Sequence, residues 1–363
     1  MGKFDRRDRP VRKGIEIWDD GRDIVLYKPG EIIVDSGGDH LRAERALDGA
    51  IIERRQVDER LGVAHYDVRG NVLEQVDRLR KDGIRSGPNH VLSGEPRYKG
   101  GPGTIVEPAT ELEAPCGDAG RDVCIAVLDT GYTEGHQWLD ACVQPDGMVV
   151  EELDAMIADG VLDDEAGHGT FIAGIINRLA PAAQITACQV LLSDGWGDEV
   201  TIASAIANHA AADVINLSLG AYTQGNLPPI GLMNALRQVS RTSVVVAAAG
   251  NADTDVPFWP AALKQVIGVA AVDSAGVRSS YSNYGHWVDC AAPADDVIST
   301  FPTYGPGGFK GWAKWSGTSF AAPYLAGLIA AEMTAGGGTA ADAVHRVLAT
   351  ATRIDPEVGA VLS

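Results

Sequence analysis

Hydrophobic and polar positions follow one pattern before residue 93 and another after residue 116. In the first region, alternating apolar residues predict strands at 24–34, 51–57, 63–68 and 89–92, and apolar residues at helical spacing predict helices at 40–50 and 71–81. The order β-α-β-β-α-β is typical of a small α+β, ferredoxin-like domain. We therefore expect such a domain at residues 21–93, after a flexible tail at residues 1–20 whose acidic and basic residues are interleaved.

Residues 94–115 carry little periodic apolar content and include Gly100-Gly101-Pro102-Gly103, which predicts a linker. Beyond it, apolar strands alternate with helices. Strands are expected at 123–128, 184–192, 213–219, 243–249 and 266–272, and helices at 169–179, 200–212 and 231–240. This alternation favours an α/β domain at residues 116–363, with a doubly wound, mostly parallel sheet. Ligands of such sheets bind at the carboxyl ends of the strands.

Four side chains with complementary chemistry follow predicted strands or precede predicted helices. Asp129 ends an apolar strand, His168 lies between two glycines at a helix start, Asn251 follows a strand, and Ser319 lies in a turn before an apolar helix. Each alone is more typical of a cap or a turn. Together they supply an acid, a base, an amide donor and a nucleophile, the groups needed for acyl transfer.

Composition narrows the class of partner. A formal charge of -19 disfavours nucleic acid and anionic membranes and leaves basic peptides as plausible ligands. No apolar run is long enough to span a membrane, and residues 1–14 lack the apolar core of a signal peptide, so we expect a cytoplasmic protein, with export by a non-standard route left open. The five cysteines show no metal-binding spacing; buried thiols are expected at Cys124, Cys188 and Cys290, and a Cys116–Cys142 disulfide stays open.

Four motifs resemble the signature blocks of the subtilisin-like serine proteases. They are Val127-Leu128-Asp129-Thr130-Gly131, Gly167-His168-Gly169-Thr170, Ala249-Gly250-Asn251 and Gly317-Thr318-Ser319-Phe320-Ala321-Ala322-Pro323. The resemblance covers residue 116 to the C-terminus. It implies an Asp129-His168-Ser319 triad, an oxyanion donor at Asn251 and a substrate-binding edge at Ser218, Leu219 and Gly220. It implies no cofactor.

The same resemblance implies a role for the N-terminal domain. Its element order and its closing segment at residues 87–92 are similar to the prosegments of these proteases, which assist folding and block the active site. Its partner is then the chain's own catalytic domain, with a cleavage or docking region at residues 93–103. A permanently attached accessory domain of the same fold is the alternative.

Departures from the family pattern concern metal binding and selectivity. The helix after His168 runs on without the usual calcium-binding insertion, so that calcium site is not expected and the metal status is unknown. Extra acids between Asp129 and His168, among them Glu151 and Glu165, are expected to be mostly solvated, with a calcium site or a rim for cationic substrates left open. Acids after the strand that ends at residue 192 suggest selectivity for basic residues; they are Asp194, Asp198 and Glu199.

The resulting expectation is a serine endopeptidase that acts on peptides or proteins and is restrained by its own N-terminal domain. A dedicated maturation protease for one cytoplasmic partner and a non-catalytic, protease-like scaffold are the alternatives.

Overall fold

The computed structural model describes residues 14–19, 24–94, 106–146, 151–156, 158, 160–305 and 308–363, without the side chains of residues 55–57. The strands are β1 Glu16–Asp19, β2 Ile24–Asp35, β3 Ile51–Asp58, β4 Val63–Val68, β5 Ser86–Gly94, β6 Glu107–Pro108, β7 Cys124–Asp129, β8 Val143–Pro145, β9 Gln184–Gln189, β10 Trp196–Asp198, β11 Val214–Leu217, β12 Leu219–Gly220, β13 Val244–Ala248, β14 Ile267–Val272, β15 Cys290–Pro293, β16 Val297–Tyr304, β17 Phe309–Trp315, β18 Arg353–Asp355 and β19 Gly359–Val361. The α-helices are α1 His40–Ala46, α2 Val72–Lys81, α3 His168–Leu179, α4 Glu199–Asn208, α5 Ile230–Leu236, α6 Thr318–Gly336 and α7 Ala340–Ala349.

The larger sheet has the order β18-β19-β15-β14-β13-β11-β7-β9-β8. From β15 to β8 all neighbours are parallel. Their carboxyl ends therefore lie along one edge of the sheet. The α/β fold with a mostly parallel sheet, predicted from the alternation of elements, is confirmed.

Both faces of this sheet are covered, because successive residues of each strand point to opposite sides. On β7, Ile125 and Val127 pack in a core with α3, α6 and α7. Ala126 and Leu128 pack in a second core with α4 and α5. Helix α6 is apolar around most of its circumference because it is buried for most of its length between the sheet and α3.

A second, antiparallel sheet is formed by the N-terminal region, with the order β5-β2-β4-β3. Helix α2 lies on it with Val72, Leu73, Val76 and Leu79 buried, and Asn71 caps the helix by accepting from the N–H groups of Leu73 and Glu74. The elements follow the predicted order β-α-β-β-α-β; assignment to the ferredoxin-like folds stays a prediction.

Strand β5 joins the two regions. Its end pairs antiparallel with β10 on one side and with β12 on the other, so that Ser93 lies opposite both Trp196 and Gly220. Leu92 is buried and shares a core with residues of β7, β11 and α4. The last residues of the N-terminal region thus form the middle strand of a three-stranded layer on the larger domain.

Three expectations from the sequence are wrong. Glu16–Asp19, placed in the tail, pairs with β2, and the Tyr27 hydroxyl donates to Glu16 at 2.6 Å. Glu107–Pro108, placed in the linker, pairs with Ala313 and Lys314 of β17. Cys124, expected to be buried, is exposed because it begins β7 at the surface; no disulfide joins the five cysteines, all of which lie in described segments. Residues 1–13 and 20 of the predicted tail, and residues 95–105 of the predicted linker with its Gly100-Gly101-Pro102-Gly103 centre, lie outside the described residues.

None of the helices in the described ranges combines the length and the apolar content needed to cross a membrane.

Candidate active site

Three neighbouring strands bring polar residues to one edge of the larger sheet. In the order β13-β11-β7, the chain continues beyond the strand ends to Asn251 from β13 and Ser218 from β11, while Asp129 is the last residue of β7. Asp129 is fully buried and its Oδ1 accepts from the N–H of Thr130 at 2.7 Å. A buried carboxyl group needs hydrogen-bond partners, and this N–H is one of them.

His168 is the first residue of α3, and the glycines on both sides place it against Asp129. Gly167 has a φ of 81°, a left-handed conformation that favours glycine. A Cβ on Gly169 would lie 2.1 Å from the carbonyl oxygen of Gly131. Only glycine therefore allows the start of α3 to approach the turn after Asp129 this closely.

The imidazole of His168 is held in the tautomer that a general base needs. Its Nδ1 lies 2.7 Å from Asp129 Oδ1, and both side chains are fully buried. Because an ionised carboxylate only accepts, Nδ1 carries the proton and Nε2 carries the lone pair. Within the described part of the chain, no group forms a hydrogen bond with this Nε2.

Ser319 is the second residue of α6, a helix of 19 residues. Its backbone N–H is one of the first four of the helix, which have no intrahelical acceptor and favour a negative charge. Its Oγ donates to the carbonyl oxygen of Ser218 at 3.2 Å. The nucleophile candidate is therefore bonded to the edge segment rather than to His168.

Pro323 explains a second contact between Ser319 and Ser218. It is the sixth residue of α6 and, lacking an N–H, cannot bond the carbonyl oxygen of Ser319 four residues earlier. That oxygen instead accepts from the Ser218 hydroxyl at 2.8 Å.

Asn251 lies beside the start of α6. Its Oδ1 accepts from the N–H of Thr318 at 2.9 Å, and the Thr318 hydroxyl accepts from the N–H of Gly250 at 3.0 Å. The bond from the Thr318 N–H fixes which end of the Asn251 amide is the carbonyl. The other end of the amide is therefore the Nδ2 donor. The amide lies close to Ser319, because its oxygen bonds Thr318, the residue before Ser319.

Ser218, Leu219 and Gly220 lie beside these groups along an edge that already pairs with another strand. Leu219 is opposite Gly94 and Gly220 is opposite Ser93, in antiparallel register. All the residues predicted for the site are thus brought together: Asp129, His168, Asn251, Ser218, Leu219, Gly220 and Ser319.

Comparison with known proteins agrees with this arrangement. The model of the family described as "Subtilase family" matches residues 120–360. The chain belongs to the subtilase family.

Two curated subtilases are 39% identical to this chain. Thermophilic serine proteinase from Bacillus sp. (strain AK1) aligns over 59% of this chain and 52% of its own length, and Thermitase from Thermoactinomyces vulgaris over 58% and 74%. The alignment thus spans about half of the first relative and about three quarters of the second.

Solved subtilase structures share the fold. A cold adapted subtilisin-like serine proteinase superposes with a TM-score of 0.55 at 25% identity, covering 70% of this chain and 93% of its own. Fervidolysin from Fervidobacterium pennivorans, described as a keratinolytic enzyme related to subtilisin, gives 0.66 at 20% identity and covers 95% of this chain and 61% of its own. The second superposition includes most of the region before residue 116, so the likeness in fold extends to the N-terminal region.

This subtilase also has a buried acid that sequence reasoning placed in solvent. Glu151 accepts from the N–H of Gly167 at 2.7 Å and from the Thr133 hydroxyl at 3.3 Å. Burial raises the pKa of Glu151 to about 8, against the opposing effect of the Gly167 hydrogen bond. Because Gly167 precedes His168, Glu151 braces the loop that delivers the base.

The acids proposed as a rim for basic substrates have other contacts. Glu199 is buried and joins His90 Nδ1 at 2.7 Å and the N–H of Gly231 at 2.7 Å. Asp198 caps α4 by accepting from Val200 and Thr201, and Asp194 accepts from the N–H of Trp196. The expectation of an exposed rim is wrong for Glu199, because the N-terminal region covers it.

Two clusters in the described part of this subtilase place three possible metal ligands within 4.8 Å of one another. They are Asp146 with Cys188 and His209, and Glu31 with His65 and Asp67. The first includes Asp146 from the segment between Asp129 and His168, where a calcium site was left open, but its other two members are a thiol and an imidazole, whereas calcium takes oxygen ligands.

Proposed function

We propose that this chain is a serine endopeptidase that cleaves peptide bonds through Ser319, His168 and Asp129, with its own N-terminal region bound in the cleft. The observation that carries the proposal is the antiparallel strand β5, which lies between β10 and β12 and leads to the Ser218 edge beside Ser319. A main chain bound in this way is the strand-addition mode of peptide recognition.

The reaction requires Ser319 Oγ to exchange the Ser218 carbonyl for His168 Nε2, the only ring nitrogen with an available lone pair. Hydrogen bonds of this kind are often formed only in the complex with substrate. His168 then takes the serine proton during attack on the scissile carbonyl and returns it to the leaving amine. Asp129 stabilises the imidazolium that forms in between.

The oxyanion is held by the Ser319 N–H at the start of α6 and by the Asn251 amide. Removing one such side-chain donor costs about 2.7 to 4 kcal/mol of transition-state stabilisation, the range known for subtilisin. The acyl-enzyme is hydrolysed by water that His168 activates in the same way.

The restraint is supported by polar contacts away from the cleft. His90 of the N-terminal region bonds the buried Glu199, and Arg80 donates to the side chain and the carbonyl oxygen of Gln224 at 3.2 and 3.3 Å. The Gln224 side chain in turn donates to Asp77 at 2.9 Å. These bonds, with the shared core around Leu92, hold β5 where a substrate would bind.

Intact-mass measurement of the purified chain beside Ser319→Ala tests the proposal. We expect a shortened wild type, cleaved after β5, and a full-length variant. Full-length masses for both, with labelling of Ser319 by a fluorophosphonate, would make the N-terminal region a permanent accessory. Full-length masses without labelling would favour a non-catalytic scaffold.

A further inference from the structure

The position occupied by Gly94 is bounded by a buried carboxylate of the catalytic domain. A Cβ built on Gly94 would lie 1.9 Å from Glu165 Oε2 and 3.0 Å from its Cδ. No side chain larger than hydrogen fits at that distance unless Glu165 moves. The backbone of Gly94 does not itself require glycine, because its φ lies outside the left-handed region.

Glu165 is enclosed on its other side as well. A Cβ on Gly195 would lie 2.0 Å from Glu165 Cδ, and Gly195 also has a φ of 80°, which by itself favours glycine. Glu165 is only 2% exposed. Its carboxyl group thus lies between two glycines, one from β5 and one from the loop before β10.

The backbone of Glu165 is fixed close to the general base. Its N–H donates to the Ser193 carbonyl at 2.9 Å, and its carbonyl accepts from the N–H of His168 at 3.1 Å. A shift of the main chain that made room for a larger residue at position 94 would therefore disturb the loop that carries His168. Rotation of the side chain alone is opposed by Gly195, which already lies against the carboxyl group.

The register of β5 shows which substrate residue Gly94 stands for. Gly94 lies opposite Leu219, and its N–H donates to the Gly195 carbonyl at 2.9 Å. In a substrate paired in the same way, the next residue lies opposite Ser218, whose carbonyl contacts Ser319 Oγ. That residue presents its carbonyl carbon to the nucleophile, so the residue at the place of Gly94 is the second before the cleaved bond.

We propose that Glu165 selects glycine at the second residue before the scissile bond, so that the enzyme cleaves peptides and proteins one residue after a glycine bound at the place of Gly94. The inference rests on the proposed peptidase function. The alternative is that the Glu165 carboxylate attracts lysine or arginine to the same substrate position by its charge. Steric exclusion and electrostatic attraction make different predictions for the neutral isostere.

The test uses the whole protein, expressed and folded as one chain. It is assayed after self-processing or after nicking within residues 95–105 by limited proteolysis. Three coumarin-amide peptide pools, acetyl-Leu-Ser-Gly-X, acetyl-Leu-Ser-Ala-X and acetyl-Leu-Ser-Lys-X, carry the same mixture of residues at X. Wild type should cleave the glycine pool about 10- to 200-fold faster, in kcat/KM, than the alanine pool. Glu165→Ala should bring this ratio close to one, and Glu165→Gln, of equal size, should keep it.

Equal kcat/KM for the glycine and alanine pools with wild type would overturn the inference and leave the peptidase intact. A preference for the lysine pool that Glu165→Gln abolishes would overturn it in favour of electrostatic attraction. Cleavage of none of the pools, with no labelling of Ser319, would overturn the proposed function and this inference with it.

A second measurement does not depend on the folding of Glu165 variants. In the full-length chain, Gly94→Ala should weaken the docking of β5 and raise the rate at which a fluorophosphonate labels Ser319 by about tenfold or more. An unchanged labelling rate would contradict the proposed contact.

Discussion

The two sides of the candidate active site, the acid-base pair and the nucleophile with its binding edge, differ in what they are bonded to. On the side of the base, Asp129 and His168 are fully buried, bonded to each other at 2.7 Å and fixed in the tautomer needed for proton transfer. On the side of the nucleophile, the Ser319 hydroxyl donates to Ser218, and β5 pairs with the edge that includes Leu219 and Gly220.

The difference indicates which side of the site the proposed restraint acts on. The base is set by contacts inside the catalytic domain, between the end of β7 and the start of α3. The binding edge pairs with the N-terminal region, whereas the Ser319 hydroxyl bonds Ser218 of the catalytic domain. Under the proposed function, activation requires release of β5 and transfer of the Ser319 hydroxyl from Ser218 to His168, while Asp129 and His168 keep their positions.

The largest effect is expected from removing the base. His168→Ala should lower kcat by about 10⁶-fold, as loss of the base does in subtilisin, because it removes the imidazole to which the Ser319 proton is transferred in the proposed mechanism. The exposed His345→Ala on α7 is the matched control and should leave kcat unchanged. A residual rate within tenfold of wild type would mean that another group acts as the base.

The nucleophile side is tested next by Asn251→Ala. Loss of the amide donor should lower kcat by about 10²- to 10³-fold and change KM little, because the donor acts mainly on the oxyanion of the transition state. Steady-state kinetics with one peptide measure both values. A rise in KM at constant kcat would assign Asn251 to ground-state binding instead.

A smaller effect is expected from loosening the N-terminal region. His90→Ala leaves the buried Glu199 without this partner, a cost of about 1 to 3 kcal/mol, which should open the cleft and raise the labelling rate of Ser319 in full-length protein by about tenfold. His40→Ala serves as control, since the His40 side chain bonds the Ser36 carbonyl, a residue of its own region. Equal labelling rates for both variants would contradict a docking role for His90.

The base side has a pH dependence of its own through Glu151. Burial raises the pKa of Glu151 from its ordinary value of 4.5 to about 8, so its carboxyl group stays protonated in the folded chain up to about pH 8. Between these values unfolding releases a proton, so stability should fall as pH rises through this window and level off above it. Relative to Glu151→Gln, the loss should approach about 1.4 kcal/mol per pH unit.

Denaturant unfolding at several pH values measures this slope, with the exposed Glu152→Gln as the control. Parallel pH profiles for wild type and Glu151→Gln would show that Glu151 is ionised in the fold.

Sequence patterns were sufficient for groups whose positions follow from local structure. Asp129, Ser218 and Asn251 are placed by the ends of parallel strands, and His168 by a glycine-flanked helix start, so periodicity and the family motifs located them. Helix bounds are less accurate: Ser319 is predicted in a turn before the helix, whereas α6 already begins at Thr318 and includes Ser319 in its first turn.

Contacts between distant segments could not be predicted. The burial of Glu199 by His90 and of Glu165 against Gly94 depends on how the N-terminal region docks, and no period in the sequence encodes it. Composition alone predicts that Gly94 belongs to the linker. The structure shows that the buried Glu165 leaves no room for a larger residue at this position.

The central claim, that Ser319 is the nucleophile of a cleft held by the chain's own β5, is tested most directly by peptide mapping after fluorophosphonate labelling. Full-length Ser319→Ala gives the background, and the full-length wild type is compared before and after nicking within residues 95–105. The account predicts a single labelled residue, Ser319, with a rate that rises on nicking. Label on another residue, or none after nicking, would contradict it.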